Sequence, residues 1–230
     1  MHIHYSCGKK GWTFVLLSIE RLTLLNELAT TYHKKINEET VSYLKGRGFS
    51  QELASEHLLG SVPVDCDPSH VQFIGWLSIP YRVVNGVAGF KFRRIDELPG
   101  PRYMAPMHQP ARLFNAVDLQ KPSDTIAICE GELDAVIASQ LLPSVGVPGV
   151  KAWRPHFNRL FGGYRRVLIL ADNDDKKDGS NPGMELAEKV LQEVEHAELI
   201  PLPLGSDVNS IVLDEGLDGL RRRLGIDERV

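Results

Sequence analysis

The chain is poor in the features that mark secreted, membrane-bound or strongly cationic proteins. Its 230 residues include only three cysteines, Cys7, Cys66 and Cys129, far apart in sequence. So few thiols exclude a disulfide framework and fit a reducing compartment. No apolar run reaches the ~20 residues that span a bilayer. The stretch FVLLSIERLTLL (14–25) is interrupted by Glu20 and Arg21, and no small-residue cleavage site follows it. Neither a membrane segment nor a signal peptide is read there, and a cytoplasmic location is expected. An excess of positive charge is also missing. The formal net charge is -4, so a nucleic-acid partner does not follow from overall charge and would need a local basic patch. There is no internal repeat and no low-complexity tract. What remains is an ordinary globular composition, long enough for one large domain or two small ones with a real core.

The organisation changes along the chain. From Trp12 to Tyr43 the apolar residues Leu16, Ile19, Leu22, Leu25 and Leu28 recur at helical spacing. The next stretch, through Pro63, reads as two short helices. Gly46-Arg47-Gly48 breaks the first, and Ser50 is placed to cap the second. Residues 71–119 alternate and carry β-branched and aromatic side chains. VVNGVAGF is a hairpin signal with Asn85-Gly86 as its turn. The segment 97–114 is proline-rich and irregular. From Thr125 the rhythm is α/β: TIAIC strand, GELDAVIASQLL helix, VGVPGV short strand, RVLILA strand, GMELAEKVLQEV helix, AELIPLPL strand. Met184, Ala187, Leu191 and Val194 are expected on the inner side of the second helix. The fold class expected is an α+β N-terminal part followed by an α/β unit with a central, mostly parallel sheet.

The strands of that unit end in acid. TIAIC runs into Glu130, with Glu132 and Asp134 following, and RVLILA runs into Asp172 and Asp174. A third segment, GSDVNSIV, offers Asp207 and Asn209. At ~5 Å and an effective dielectric of about 20, one such carboxylate pair costs about 3 kcal/mol. Water, nearby lysines or a cation must offset it. In open parallel sheets, ligands gather at the carboxyl ends of strands, so these acids are expected to converge. Hard oxygen ligands suit Mg²⁺ or Mn²⁺, which position phosphates and activate an attacking oxygen. An EF-hand register from Asp174 fails because Lys176 and Pro182 fall on ligand positions. An aspartyl-phosphate phosphatase would rarely carry Lys176 after its Asp-x-Asp. Asp175 and Asp178 read as part of a lysine-balanced loop.

Glu130, Gly131, Asp134, Ala135, Asp172, Asp174 and Gly183 together resemble the Toprim domain, the metal-binding fold of bacterial-type primases, some topoisomerases and some nucleases. Ile79, Pro80, Tyr81, Gly86, Arg93, Arg94, Pro101, Arg102, Tyr103, Leu113 and Asn115 resemble the core of bacterial (DnaG-type) primases, particularly phage and mobile-element forms. The resemblance spans roughly residues 38–215. It implies DNA-templated synthesis of short RNA primers, with Glu130, Asp172 and Asp174 catalytic. Mg²⁺ or Mn²⁺ would be held by Glu130, Asp134, Asp172, Asp174 and Asp207. Lys91, Arg93, Arg94, Arg102, Tyr103 and Asn115 would hold template or nucleotide. Phe90 and Phe92 would anchor their strand while Lys91 and Arg93 face the other way.

HYSCGKKG resembles the last part of a primase zinc ribbon, with His4 and Cys7 in knuckle positions. Four ligands make a structural zinc site. His2, His4 and Cys7 are too few and too close together, so no zinc is expected on this chain alone. The expected parts are 1–36 (knuckle remnant and helix), 37–120 (basic α+β subdomain), 121–215 (Toprim) and 216–230 (helical tail). Expected partners are single-stranded DNA, ribonucleoside triphosphates, a separate zinc-ribbon polypeptide and a replicative helicase, since no helicase domain is read within the chain. No membrane is expected as a partner. Two other readings stay open: a Toprim nuclease, and a nucleic-acid-binding accessory that works only with a partner chain.

Overall fold

A computed structural model describes residues 17–174 and 180–226. The His2, His4 and Cys7 knuckle remnant, the helix start expected at Trp12, and Asp175 and Asp178 lie outside the described residues.

The N-terminal half places three helices and an antiparallel sheet around the hairpin. Helix α1 (Ile19–Lys34) starts at Ser18, whose side chain accepts from the Arg21 amide. It stops earlier than the continuous pattern to Tyr43 suggested, because Asn37 caps a new helix, α2 (Glu38–Gly46), by accepting from the Thr40 amide. Helix α3 (Gln51–Glu56) begins at Ser50, capped as expected through the Leu53 amide. The sheet order is β1 (Gly60–Ser61), β2 (Leu77–Val83), β3 (Gly86–Arg93) and β4 (Tyr103–Met104), each antiparallel to its neighbour. The hairpin loop is one residue earlier than expected. Val83 pairs with Gly86, leaving Val84 and Asn85 as the loop. Gly86 has φ 120 and lies against the Asn26 side chain, which accepts from the Val87 amide. That long-range hydrogen bond decides the register.

The pleat then sorts β3. Phe90 and Phe92 point to α1 and pack with Leu25, Ala29, Tyr32 and Phe73. Lys91 and Arg93 pair across strands with Ile79 and Leu77 and share their face, which turns towards the second half of the molecule.

That second half is a parallel sheet in the order β6-β5-β7-β8: β5 (Thr125–Cys129), β6 (Ser144–Gly146), β7 (Arg166–Leu170) and β8 (Ala197–Leu199). Every strand pair in it is parallel. Alternation divides the central strands between two cores. Ala127, Cys129, Leu168 and Leu170 pack with Leu133 and Val136 of α4 (Glu132–Ala138) and Ile211, Leu220 and Leu224 of α6 (Val208–Leu224). Ile126, Ile128, Val167 and Ile169 pack with Trp153, Phe157 and Phe161 and with α5 (Pro182–Glu193). The inner face of α5 is Gly183, Leu186, Ala187, Val190 and the following Val194, and Leu191 is exposed. The helix turns a different stripe inward because Gly183 must lie against the acids.

Gly216 has φ 70 and ψ 178 and breaks α6 in two, near the expected boundary at 215/216. Leu220 and Leu224 beyond it are nonetheless fully buried in the core shared with α4. Among the described residues, no helix is long and apolar enough to cross a membrane.

Candidate functional site

Strand register brings the first acids together. Cys129 lies opposite Leu170, so β5 and β7 end level and release Glu130 and Asp172 at the same edge. The Glu130 amide donates to the Leu170 carbonyl (3.2 Å), and Glu130 Oε2 accepts from the Asp172 amide (3.2 Å). Gly183 closes this corner. A Cβ there would lie 2.2 Å from the Asp172 carbonyl oxygen and 2.4 Å from Glu130 Oε2, so only glycine lets α5 approach.

Asn173 holds the loop that carries the acids. Its amide nitrogen donates to Ser206 O, its side chain to Leu202 O, and its carbonyl accepts from Gly205. Its Oδ1 also accepts from Asn181, the N-cap of α5. With Asn173 turned to these partners, Asp174 stands exposed at the rim.

Asp134 comes from the first turn of α4 and is buried, with Oδ1 accepting from the Asn209 amide (3.2 Å). Asp207 caps α6, with Oδ1 accepting from the Ser210 amide (2.6 Å), while Arg47 lies 3.6 Å from Oδ2. Asn209 ties Arg47 in by donating to its carbonyl.

The electrostatics report the crowding. Burial, then the charges of Asp207 and Glu130, push the Asp134 carboxyl well above the usual carboxylate range against the pull of Arg47. Asp172 is pushed up by burial, then by Asp134, Glu130, Asp207 and Asp174. These acids are therefore one electrostatic unit, although residues 130, 172 and 207 are far apart in the chain. Asp172 Oδ1 is buried without a hydrogen-bond partner, which is where a cation is expected to bind. The donors are all hard oxygens, which suit Mg²⁺ or Mn²⁺. Among the described residues, no group of three or more His, Cys, Asp or Glu side chains is placed to hold a metal ion in this arrangement.

The basic residues divide. Arg47, Tyr43, Arg93, Tyr103 and Lys91 alternate as a cation–π column. Arg47 lies 5.8 Å and Arg93 5.4 Å from the Tyr43 ring, and Arg93 4.6 Å and Lys91 4.7 Å from the Tyr103 ring. Arg93 also donates to the Tyr103 hydroxyl. Lys91 is committed internally. It pairs with buried Glu132 (2.6 Å), which also accepts from Tyr81 (2.5 Å), and donates to Pro148 O (3.2 Å). Arg94 holds the 98–100 turn through its carbonyls and lies over Trp76 (5.9 Å). Asn115 is fully buried, with φ 54, and donates to Ser144 O. Arg102 is exposed.

Sequence reasoning missed Arg47, Asn173 and the pairing of Glu132 with Lys91. Arg47 carried a signal only as the break Gly-Arg-Gly. Asn173 sits inside the acidic motif, where an uncharged side chain between Asp172 and Asp174 gives no signal of its own.

Residues 125–218 match the Toprim domain family. The Gene 57 protein of Mycobacterium phage D29 is 44% identical over 156 residues, covering 65% of this chain and 98% of that protein. The DNA primase of Pseudomonas aeruginosa PAO1 is 25% identical over 226 residues, covering 80% of this chain and 34% of that enzyme. The chain thus spans about a third of the length of that curated primase. Among solved structures, the RNA polymerase domain of Mycobacterium tuberculosis primase DnaG, in complex with a double-stranded DNA oligomer with a 6-nucleotide overhang, superposes with a TM-score of 0.72. Its identity is 18%, over 90% of this chain and 80% of that one.

Proposed function

The chain belongs to the family of the phage D29 Gene 57 protein and carries a Toprim domain, and from that premise we propose that it is a phage form of the DnaG-type primase core that synthesises short RNA primers on single-stranded DNA. The observation that carries the proposal is that β5 and β7 end level and release Glu130 and Asp172 at one edge, with Asp134 and Asp207 linked through Asn209 and Arg47 beside a basic, aromatic face.

In the proposed reaction the 3′ hydroxyl of the growing strand attacks the α-phosphate of the next ribonucleotide, and pyrophosphate leaves. Asp172, Asp174 and Asp207, supported by Asp134, are the residues that would hold Mg²⁺ or Mn²⁺. When bound, that ion supplies charge neutralisation at the transferring phosphate and lowers the pKa of the attacking hydroxyl. Glu130, fixed by the Asp172 amide, is set to take the hydroxyl proton. Arg93 and Arg102 hold template or triphosphate, with Tyr103 orienting Arg93. Lys91, Arg94 and Asn115 act indirectly, by fixing the face, the 98–100 turn and the entry to β6. Arg47 screens Asp207 and Asp134 and so limits their repulsion in the metal-free protein.

Single-stranded DNA and ribonucleoside triphosphates are the substrates on this reading. A separate zinc-ribbon polypeptide and a replicative helicase are the proposed partners, and the bacterial host cytoplasm is the proposed location. The relatives named as DNA primases and the DNA-bound mycobacterial neighbour support the reading.

The test is a pair of isosteric substitutions. Glu130→Gln and Asp172→Asn should each lower primer synthesis at least ~100-fold with the circular dichroism spectrum intact. Wild-type rates from both would sink the assignment. Metal-dependent DNA cleavage without ribonucleotide incorporation would identify a nuclease instead.

A further inference from the structure

A second cleft opens beside the acids, on the other side of Gly183. It has a volume of about 870 Å³ and is walled by Pro148, Lys151, Arg154, Pro182, Glu185 and Lys189. That is within the range that takes a nucleotide-sized ligand. Both rims lead to the acidic site. Pro182 precedes Gly183, which abuts Glu130 and Asp172, and the Pro148 carbonyl accepts from Lys91, the partner of Glu132.

The charge of the cleft stands against that of the chain. Among the described lining residues, Lys151, Arg154 and Lys189 face the single carboxylate of Glu185, in a protein of net charge -4. None of the three forms an ion pair with an acid among the described residues. The wall is also fixed in place. Trp153, between Ala152 and Arg154, is 1% exposed, stacks on Phe161, and donates from Nε1 to Glu193 of α5 (2.8 Å). Unpaired cations on a braced wall form a preorganised site for polyanionic phosphate.

We propose that this cleft holds the 5′-triphosphate of the initiating nucleotide. The inference rests on the primer-synthesis reading and adds a second nucleotide site to it. Starting a strand without a primer requires two nucleoside triphosphates at once. The 3′ oxygen of the first forms a bond to the α-phosphorus of the second. The bond from that phosphorus to the bridging β-oxygen breaks, pyrophosphate leaves, and the 3′-hydroxyl proton passes to Glu130. The first nucleotide keeps its own triphosphate throughout, and that charge must be held apart from the departing pyrophosphate. A cleft separated from the acids by the Gly183 wall does this. Once the strand lengthens, its 5′ end moves away and the cleft is no longer needed.

The test compares initiation with elongation in the full chain. In Lys151→Glu/Lys189→Glu, both exposed positions, the KM of the initiating nucleotide in dinucleotide synthesis should rise at least tenfold. Extension of a preformed RNA primer should change less than twofold. Equal losses in both reactions would mean that the cleft tracks a nucleic-acid strand, and would overturn the proposal. Equilibrium binding of a non-hydrolysable ATP analogue in EDTA separates this inference from the primase reading. Binding at least tenfold weaker in the variant, with no primer made by the wild type, would keep the nucleotide cleft and sink the primase reading. Equal binding by the two proteins would sink the cleft.

Discussion

Asp172 shows at the level of one residue how function and stability oppose each other. Its carboxyl is part-buried, repelled by its neighbours, and has one oxygen sealed from solvent without a partner. Burial and like charges raise its folded pKa above the unfolded value. Its contribution to stability is therefore full at acid pH and lost as pH rises through and beyond the ordinary carboxylate range. Without divalent metal at pH 8, Asp172→Asn should raise the melting temperature by about 2–4 °C, equivalent to about 1 kcal/mol in a chain of this size. Mg²⁺ or Mn²⁺ should raise the melting temperature of the wild type but barely that of the variant, as differential scanning fluorimetry would show. Gly183 makes the complementary case. Gly183→Ala puts a methyl group against the Asp172 carbonyl and Glu130. It should cost about 1–3 kcal/mol as an overpacked site and lower primer synthesis by at least ~100-fold, in a denaturation series and a primer assay respectively. Both residues were legible in sequence because each sits in a short motif at a strand or helix end. The reason for Gly183 was not, since it lies in the approach of a helix to two distant residues.

The elements meet through Lys91 and Glu132. Lys91 comes from β3 of the antiparallel sheet and Glu132 from the start of α4, and their side chains are 14% and 2% exposed. Removing one partner of a buried pair costs about 3–5 kcal/mol. Tyr81 still donates to Glu132, so Lys91→Met should fall at the low end, about 3 kcal/mol. Lys91→Met/Glu132→Gln should recover most of that loss, because no unpaired charge remains. A chemical-denaturation double-mutant cycle measures both. A cycle with no coupling would show that the pair is solvated. The sequence pattern told strand from helix here and even which way Lys91 faces, from the alternation with Phe90 and Phe92. It did not tell that Lys91 would meet an acid from a distant element rather than a phosphate. The same limit applies to Arg47, which reaches Asp207 only because α2 and α6 pack against one core.

At the scale of the whole molecule, the two sheets are bridged by His57. It follows α3, is 1% exposed, bonds Ser139 at the end of α4 (3.2 Å), and stacks on Phe114. Burial, with Arg82 and Lys121 adding to it, lowers its pKa from 6.5 to about 3. The folded state thus refuses a proton that the unfolded chain accepts. The contribution of His57 to stability is full above pH 6.5 and falls as pH drops from there towards 3. In His57→Gln that decline should be shallower between pH 6.5 and 4, as urea denaturation at a series of pH values would show. An unchanged slope would place the acid sensitivity elsewhere. The overall architecture was the most legible feature of the sequence, because alternating strands and helices constrain a parallel sheet. The seam between the halves was not, since it is built from contacts that no local period encodes.

The central claim is that the acidic unit and its basic face join ribonucleotides on a DNA template. Its most direct test is incorporation of labelled ribonucleotides by the full chain on single-stranded DNA with Mg²⁺ or Mn²⁺, with and without a primase-type zinc-ribbon polypeptide supplied in trans. The account predicts short, metal-dependent, RNase-sensitive products that disappear in Asp172→Asn. Absence of any ribonucleotide product in both arms, with template binding intact, would contradict it.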